Sequence, residues 1–176
     1  MKELLDKLSS YNIFNYLLPG ILFAALTTRF TSYQLLQSDI VIGVFIYYFV
    51  GMVVSRFGSL VLEPLLKQWS FIKFAPYEDF VVASQADSKI DILSEQNNMY
   101  RTLCSLFLLL GLLKVFELLA DATSMPESVF FFLFTAALFL VFLFAYRKQT
   151  QYVATRVSYA KEKAPEDKGD ASGAST

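Results

Sequence analysis

The chain has 176 residues, 55% of them hydrophobic, 16% aromatic and 18% charged, with mean hydropathy +0.46 and formal net charge −1. Soluble domains carry about 45–50% apolar and about 25% charged residues, so this chain has too little polar surface to cover its apolar mass in water. It has no histidine and one cysteine, Cys104, which excludes an intrachain disulfide, a thiolate metal cage and imidazole general-base chemistry. The near-zero charge offers no basic field to nucleic acid.

These limits predict an all-α integral membrane protein without enzymatic chemistry, cofactor or metal, whose immediate partner is the lipid bilayer. Residues 1–163 form one membrane domain in this reading. Residues 1–11 open it with Leu4, Leu5 and Leu8 on one helical face, the pattern of an amphipathic helix lying in the inner interface.

The first expected span, Ile13–Thr28, reads IFNYLLPGILFAALTT. It is the weakest, because Asn15, Pro19 and Gly20 interrupt it. Membrane helices tolerate proline when neighbours satisfy the freed carbonyl, so the Pro19–Gly20 pair is either a kink lining a cavity or a tolerated break. A cleaved signal peptide is the alternative for this segment. The mixed-sign leader MKELLDKLSS argues against it.

The second span, Ile40–Leu62, contains the uncharged run IVIGVFIYYFVGMVVS and is closed by Glu63–Pro64. Gly43, Tyr47, Gly51, Ser55 and Ser59 recur every four residues along it. Small residues at that spacing let helix backbones approach closely. The row is an oligomer interface or pore-lining face in one reading, and a face packed against another span of the same chain in the other. Arg56 lies inside the span and either snorkels to the inner interface or finds a partner. Glu63 is seven residues on, so it shares that face, but lies about 10 Å along the axis, too far for a pair within one helix. Its candidate partners are Arg101 and the Arg56 of another subunit. In the sharper version, Arg56 forms a charged ring at a pore mouth.

The connection 63–101 is the one sizeable cytoplasmic element and the expected docking site of any cytosolic protein partner. Trp69, Phe71, Phe74 and Tyr77 alternate there with Lys67 and Lys73, the composition of interfacial anchors at headgroup depth. Pro76 is placed to start a helix, with Glu78 and Asp79 in its first turn. Ser88 is expected to cap a helix that joins the third span and projects about 20 Å from it. The polar stretch 94–101 is a partner site or a solvated helix end.

The third span, Thr102–Ala120, carries Lys114 and Glu117 three apart on one face near its far end, where both can snorkel. Cys104 is read there as a small packing residue. The fourth span, Val129–Tyr146, is VFFFLFTAALFLVFLFAY, stopped by Arg147–Lys148. Residues 147–163 are expected to continue it as a basic helix, and 164–176 to be disordered.

Four spans place thirteen lysines and arginines on the side of the two termini and the 63–101 connection. Only Arg29 and Lys114 fall on the other side. By the positive-inside rule both termini are cytoplasmic.

The strings FNYLLPGILF (14–23), YYFVGMVVSRFGSLVLEP (47–64) and LSEQNNMYRTL (93–103) resemble those of an uncharacterised family of small four-span bacterial inner-membrane proteins, over roughly residues 10–120. In architecture the chain is also similar to membrane subunits of phage-defence operons: CBASS effectors, the membrane subunit of Kiwa, and membrane accessory proteins of some CRISPR systems. The resemblance implies a bacterial inner-membrane location and a homo-oligomeric subunit that perturbs or senses the membrane. A nucleotide-gated effector is not implied, because 63–101 is too small to be a sensor domain. A scaffold of a membrane complex and a small transporter are the alternatives.

Overall fold

The computed structural model describes residues 13–163. The expected amphipathic helix 1–11 and the tail 164–176 lie outside the described residues. Among the described residues every regular element is a helix. A π-helical turn, Ile13–Leu17, runs into α1, Leu18–Phe30. The second helix, α2, Ile40–Phe57, passes through another π-helical turn, Gly58–Leu62, into the short α3, Glu63–Gln68. Then follow α4, Tyr77–Ala86, α5, Lys89–Thr123, and α6, Glu127–Lys163.

Among the described residues three helical stretches are long and apolar enough to cross a membrane: Ile40–Gln68, Lys89–Thr123 and Glu127–Ser158. The segment expected as the first span is not among them. It is helical in two pieces, and Pro19 sits in the first turn of α1, directly after the π turn. The helical backbone runs on through Leu17, so Pro19 lies inside a continuous helical stretch, and the wider π turn just before it receives the ring, as a tight α-helical ladder would not.

Two helix boundaries differ from those expected. The helix does not stop at Glu63–Pro64 but continues to Gln68. The Pro64 ring would press on the carbonyl four residues back in a tight α-helical ladder. The wider π turn falls on those residues, and Glu63 N–H bonds to Gly58 O, five residues back. Ser88 does not cap α5. Its backbone is already helical and its side chain makes no capping bond. Asp87, in extended backbone one residue earlier, accepts from Lys89 N–H at 2.9 Å instead, as an aspartate at a helix start does.

Close approach of α1 to α2 rests on two glycines. A methyl group added at Gly20 would strike the Tyr47 carbonyl, and one at Gly51 would strike the Tyr16 carbonyl. Farther along, a methyl at Gly58 would strike Ser105 Oγ of α5. At Gly20 and Gly51 backbone meets backbone, so only glycine fits, whereas at Gly58 a larger residue would require the Ser105 hydroxyl to turn away.

Much of what lies between the helices, beside Ala24, Val54 and Leu106, is small and polar. Thr27, Ser55, Ser59, Thr102 and Ser105 are buried, whereas Phe131, Phe132 and Phe139 of α6 are more than 60% exposed. A domain folded in water has the opposite order. Helices packed in lipid need it, because lipid tails are as apolar as leucine and contact comes from close packing and interhelical hydrogen bonds.

Candidate functional site

The buried polar groups concentrate at two places, one at each end of the long helices. At the end where α2 becomes α3, Glu63 is only 6% exposed. Its Oε2 accepts from Arg101 Nη1 of α5 at 2.6 Å, and its Oε1 accepts from Lys67 Nζ of α3 at 2.9 Å. Lys148 Nζ of α6 lies 3.8 Å from Oε1. The same ammonium donates to both the carbonyl and the hydroxyl of Ser59, at 2.7 Å each. One carboxylate thus holds cations from three helices.

The π turn explains how Glu63 reaches this position. In an unbroken α-helix a residue seven places after Arg56 would share its face. An extra residue in the turn rotates all that follows by about 100°. Glu63 is carried off the Arg56 face and onto the one that meets α5 and α6. Gly58, at the start of that turn, lets α5 come close.

Of the charged residues singled out in the sequence, the structure brings Glu63 and Arg101 together and leaves Arg56 out. Among the described residues Arg56 makes no ion pair. It is half-buried and adds to the positive field at Lys148, together with Arg101 and Lys67. Three cations therefore surround one carboxylate, and Arg56 adds its charge to the field at one of them, Lys148. The Arg101 Nε is buried and has no partner among the described residues, so the guanidinium is only half used.

The small-residue row of α2 faces neighbours in the same chain. Gly43 is buried beside the Tyr47 ring. The Tyr47 hydroxyl accepts from Gln37 N–H at 2.8 Å, and its carbonyl meets Gly20. Gly51 meets Tyr16, Ser55 accepts from Thr102 Oγ1 at 3.3 Å, and Ser59 holds Lys148. Trp69, Phe71 and Phe74 are exposed. The Phe74 ring lies under Lys67 Nζ at 4.2 Å, which links this aromatic segment to Glu63 through Lys67.

At the opposite end, Glu117 is 4% exposed. Its Oε2 accepts from Lys114 at 2.6 Å and its Oε1 from Ser32 N–H at 2.6 Å. The carboxylate is thus engaged on both oxygens within the chain. It holds the 31–39 connection onto α5, and Tyr33 of the same connection stacks on Phe130 of α6 at 5.8 Å. Burial first, then the Glu117 and Asp121 carboxylates, push the Tyr33 phenol up from its ordinary pKa.

Sequence reasoning missed Lys148 and the bond from Ser32 to Glu117. Lys148 looks like any basic flank of a span, and only its height on α6 against Ser59 sets it apart from Arg147. Beyond the node, α5 and α6 border α4. Tyr77 of α4 lies 5.6 Å from the Tyr152 ring of α6, and Val81 of α4 is buried.

No family model matches this chain, and no curated protein or solved structure matches it with significant similarity.

Proposed function

We propose that this chain is a non-enzymatic subunit of the bacterial inner membrane that senses the state of the bilayer and relays it to a cytosolic protein partner. Four helices cross, with both termini in the cytoplasm, and Ile13–Phe30 is the shortest crossing. The thirteen-to-two division of basic residues supports that orientation, since it puts the Glu63 node at the cytoplasmic border.

The observation that carries the reading is the node itself. Glu63 ties α3, α5 and α6 at the level where their apolar sequence gives way to polar sequence. A change in bilayer thickness or lateral pressure is met by helix tilt. Tilt of any of the three helices moves a charge within hydrogen-bond or ion-pair distance of the same carboxylate. The extensions of α5 and α6 beyond the node carry that movement to α4 and the 63–101 connection, where the partner would dock. A homo-oligomeric pore would need another lining, because Gly51, Ser55 and Ser59 face residues of their own chain.

The test is a pair of spin labels at Asn97 on α5 and Thr155 on α6, read by pulsed dipolar spectroscopy in bilayers of increasing acyl length. The expected result is an interlabel distance that changes with bilayer thickness in the wild type and ceases to do so in Glu63→Ala. A distance that ignores the bilayer would overturn the sensing reading and favour a scaffold. Dye release from liposomes holding the same protein would favour a pore.

A further inference from the structure

A groove of about 600 Å³ runs beside the node, between the π turn of α2 and α6. Leu60, Val61, Leu140 and Phe144 form its walls, and Arg147 and Lys148 stand at one end. Val61, Leu140 and Phe144 are each more than 40% exposed, so the groove opens sideways from the helices. Its volume falls within the about 300–1,000 Å³ range of small-molecule sites. An apolar trough with cations at one end matches a molecule that has an apolar tail and an anionic head.

The charges select the sign of that head. Among the described residues Glu63 is the only carboxylate in the ion pairs at this end, and it is already engaged by Lys67, Arg101 and Lys148. Arg56 adds a further positive charge to the surroundings of Lys148. Arg147, on the groove rim, is exposed and makes no ion pair among the described residues. A zwitterionic headgroup would bring its own cation into this positive surplus, whereas an anionic headgroup neutralises part of it. Basic pockets between membrane helices on the cytoplasmic side hold anionic headgroups for this reason.

We propose that the groove binds one anionic glycerophospholipid of the cytoplasmic leaflet, with an acyl chain along Leu60, Val61, Leu140 and Phe144 and the phosphate on Arg147 and Lys148. The proposal rests on the membrane reading of the chain and names the lipid that the node would respond to. Because Lys148 also holds Ser59 and faces Glu63, an occupied groove draws on the same ammonium that joins α6 to α2.

The test is native mass spectrometry of the full-length protein in detergent, titrated with phosphatidylglycerol or phosphatidylcholine. Phosphatidylglycerol should be retained in preference to phosphatidylcholine. Arg147→Ala should weaken its retention about fivefold, the effect of one cation near an anionic lipid. Leu140→Trp, which fills the trough without altering charge, should weaken it at least as much. Both positions are exposed, and circular dichroism reports whether each variant keeps its helices. Equal retention of the two lipids, or retention unchanged in both variants, would overturn the proposal. Displacement by soluble glycerol phosphate would overturn it too, since a free anion would then suffice without the acyl trough. The interlabel distances above separate the two readings: distances that ignore the bilayer while phosphatidylglycerol is retained sink the sensing function and leave the lipid site supported.

Discussion

Glu63 and Glu117 are both nearly buried carboxylates at the ends of long apolar helices, yet they do different work. Glu117 is a local tie. Its cation, Lys114, is three residues away on the same helix, and its other partner is one backbone N–H of the neighbouring connection. Glu63 takes a cation from its own helix and two more from helices distant in sequence. The first arrangement anchors a loop and is balanced, one charge against one. The second joins three helices and is unbalanced, with positive charge in excess. A balanced tie has no further need of counter-charge. An unbalanced one leaves positive charge free to attract an anion.

This contrast can be broken most sharply at Glu63. Glu63→Ala leaves Lys67, Arg101 and Lys148 facing one another in a partly buried space. Removing one partner of a buried pair costs about 3–5 kcal/mol. The variant should unfold at markedly lower temperature in detergent, and a wild-type melting temperature would show that the node is solvated. Lys148→Ala comes next. It deletes two hydrogen bonds from a charged donor to Ser59, worth about 1.5–3 kcal/mol each when the donor is ionised, although the Ser59 oxygens partly recover bonds to other donors. Its expected signature is specific: α6 should detach from α2, seen as a broadened distance distribution between labels on those helices, while α1–α2 distances stay fixed. If α6 holds its place, the apolar contact of Phe49 with Phe142, whose rings lie 5.8 Å apart, is sufficient to seat it.

Glu117→Gln should have a smaller and strictly local effect. The amide oxygen can still accept from Ser32, but the ion pair with Lys114 is lost. Faster hydrogen exchange at Ser32 and its neighbours is expected, with exchange in α4 unchanged. Faster exchange at α4 would mean that the two ends communicate through α5 and that the division between local tie and three-helix node is false.

How far the sequence foretold this is best seen residue by residue. The three long apolar runs are written in composition alone, because no other arrangement of such stretches satisfies their backbone groups in lipid. The pairing of Glu63 with Arg101 was one of two alternatives open in the sequence, beside the Arg56 of another subunit, because spacing excludes only the Arg56 of the same helix. Beyond Lys148 and the bond from Ser32 to Glu117, two more features were not accessible. The π turn at Gly58–Leu62 changes no residue type, but it shifts the face of everything after it. The row from Gly43 to Ser59 reads the same whether its partner is another copy or another helix of the same chain. Sequence spacing reports that something comes close, and only the fold identifies what.

The smallest expected effect, at Arg56, tests whether the positive excess is a property of the node or of its surroundings. Arg56 lacks an ion pair among the described residues, so Arg56→Ala should change stability by no more than about 0.5 kcal/mol, as for a substitution away from any bonded network. It does contribute to the field at Lys148, and fields act beyond contact distance where water is scarce. The variant should therefore melt like the wild type and yet retain less phosphatidylglycerol. Loss of stability with lipid retention intact would reverse the assignment and make Arg56 a structural member of the helix packing. Loss of neither would confine the lipid-selecting charge to Arg147 and Lys148, leaving Glu63 to hold the helices together without influence on what binds beside them.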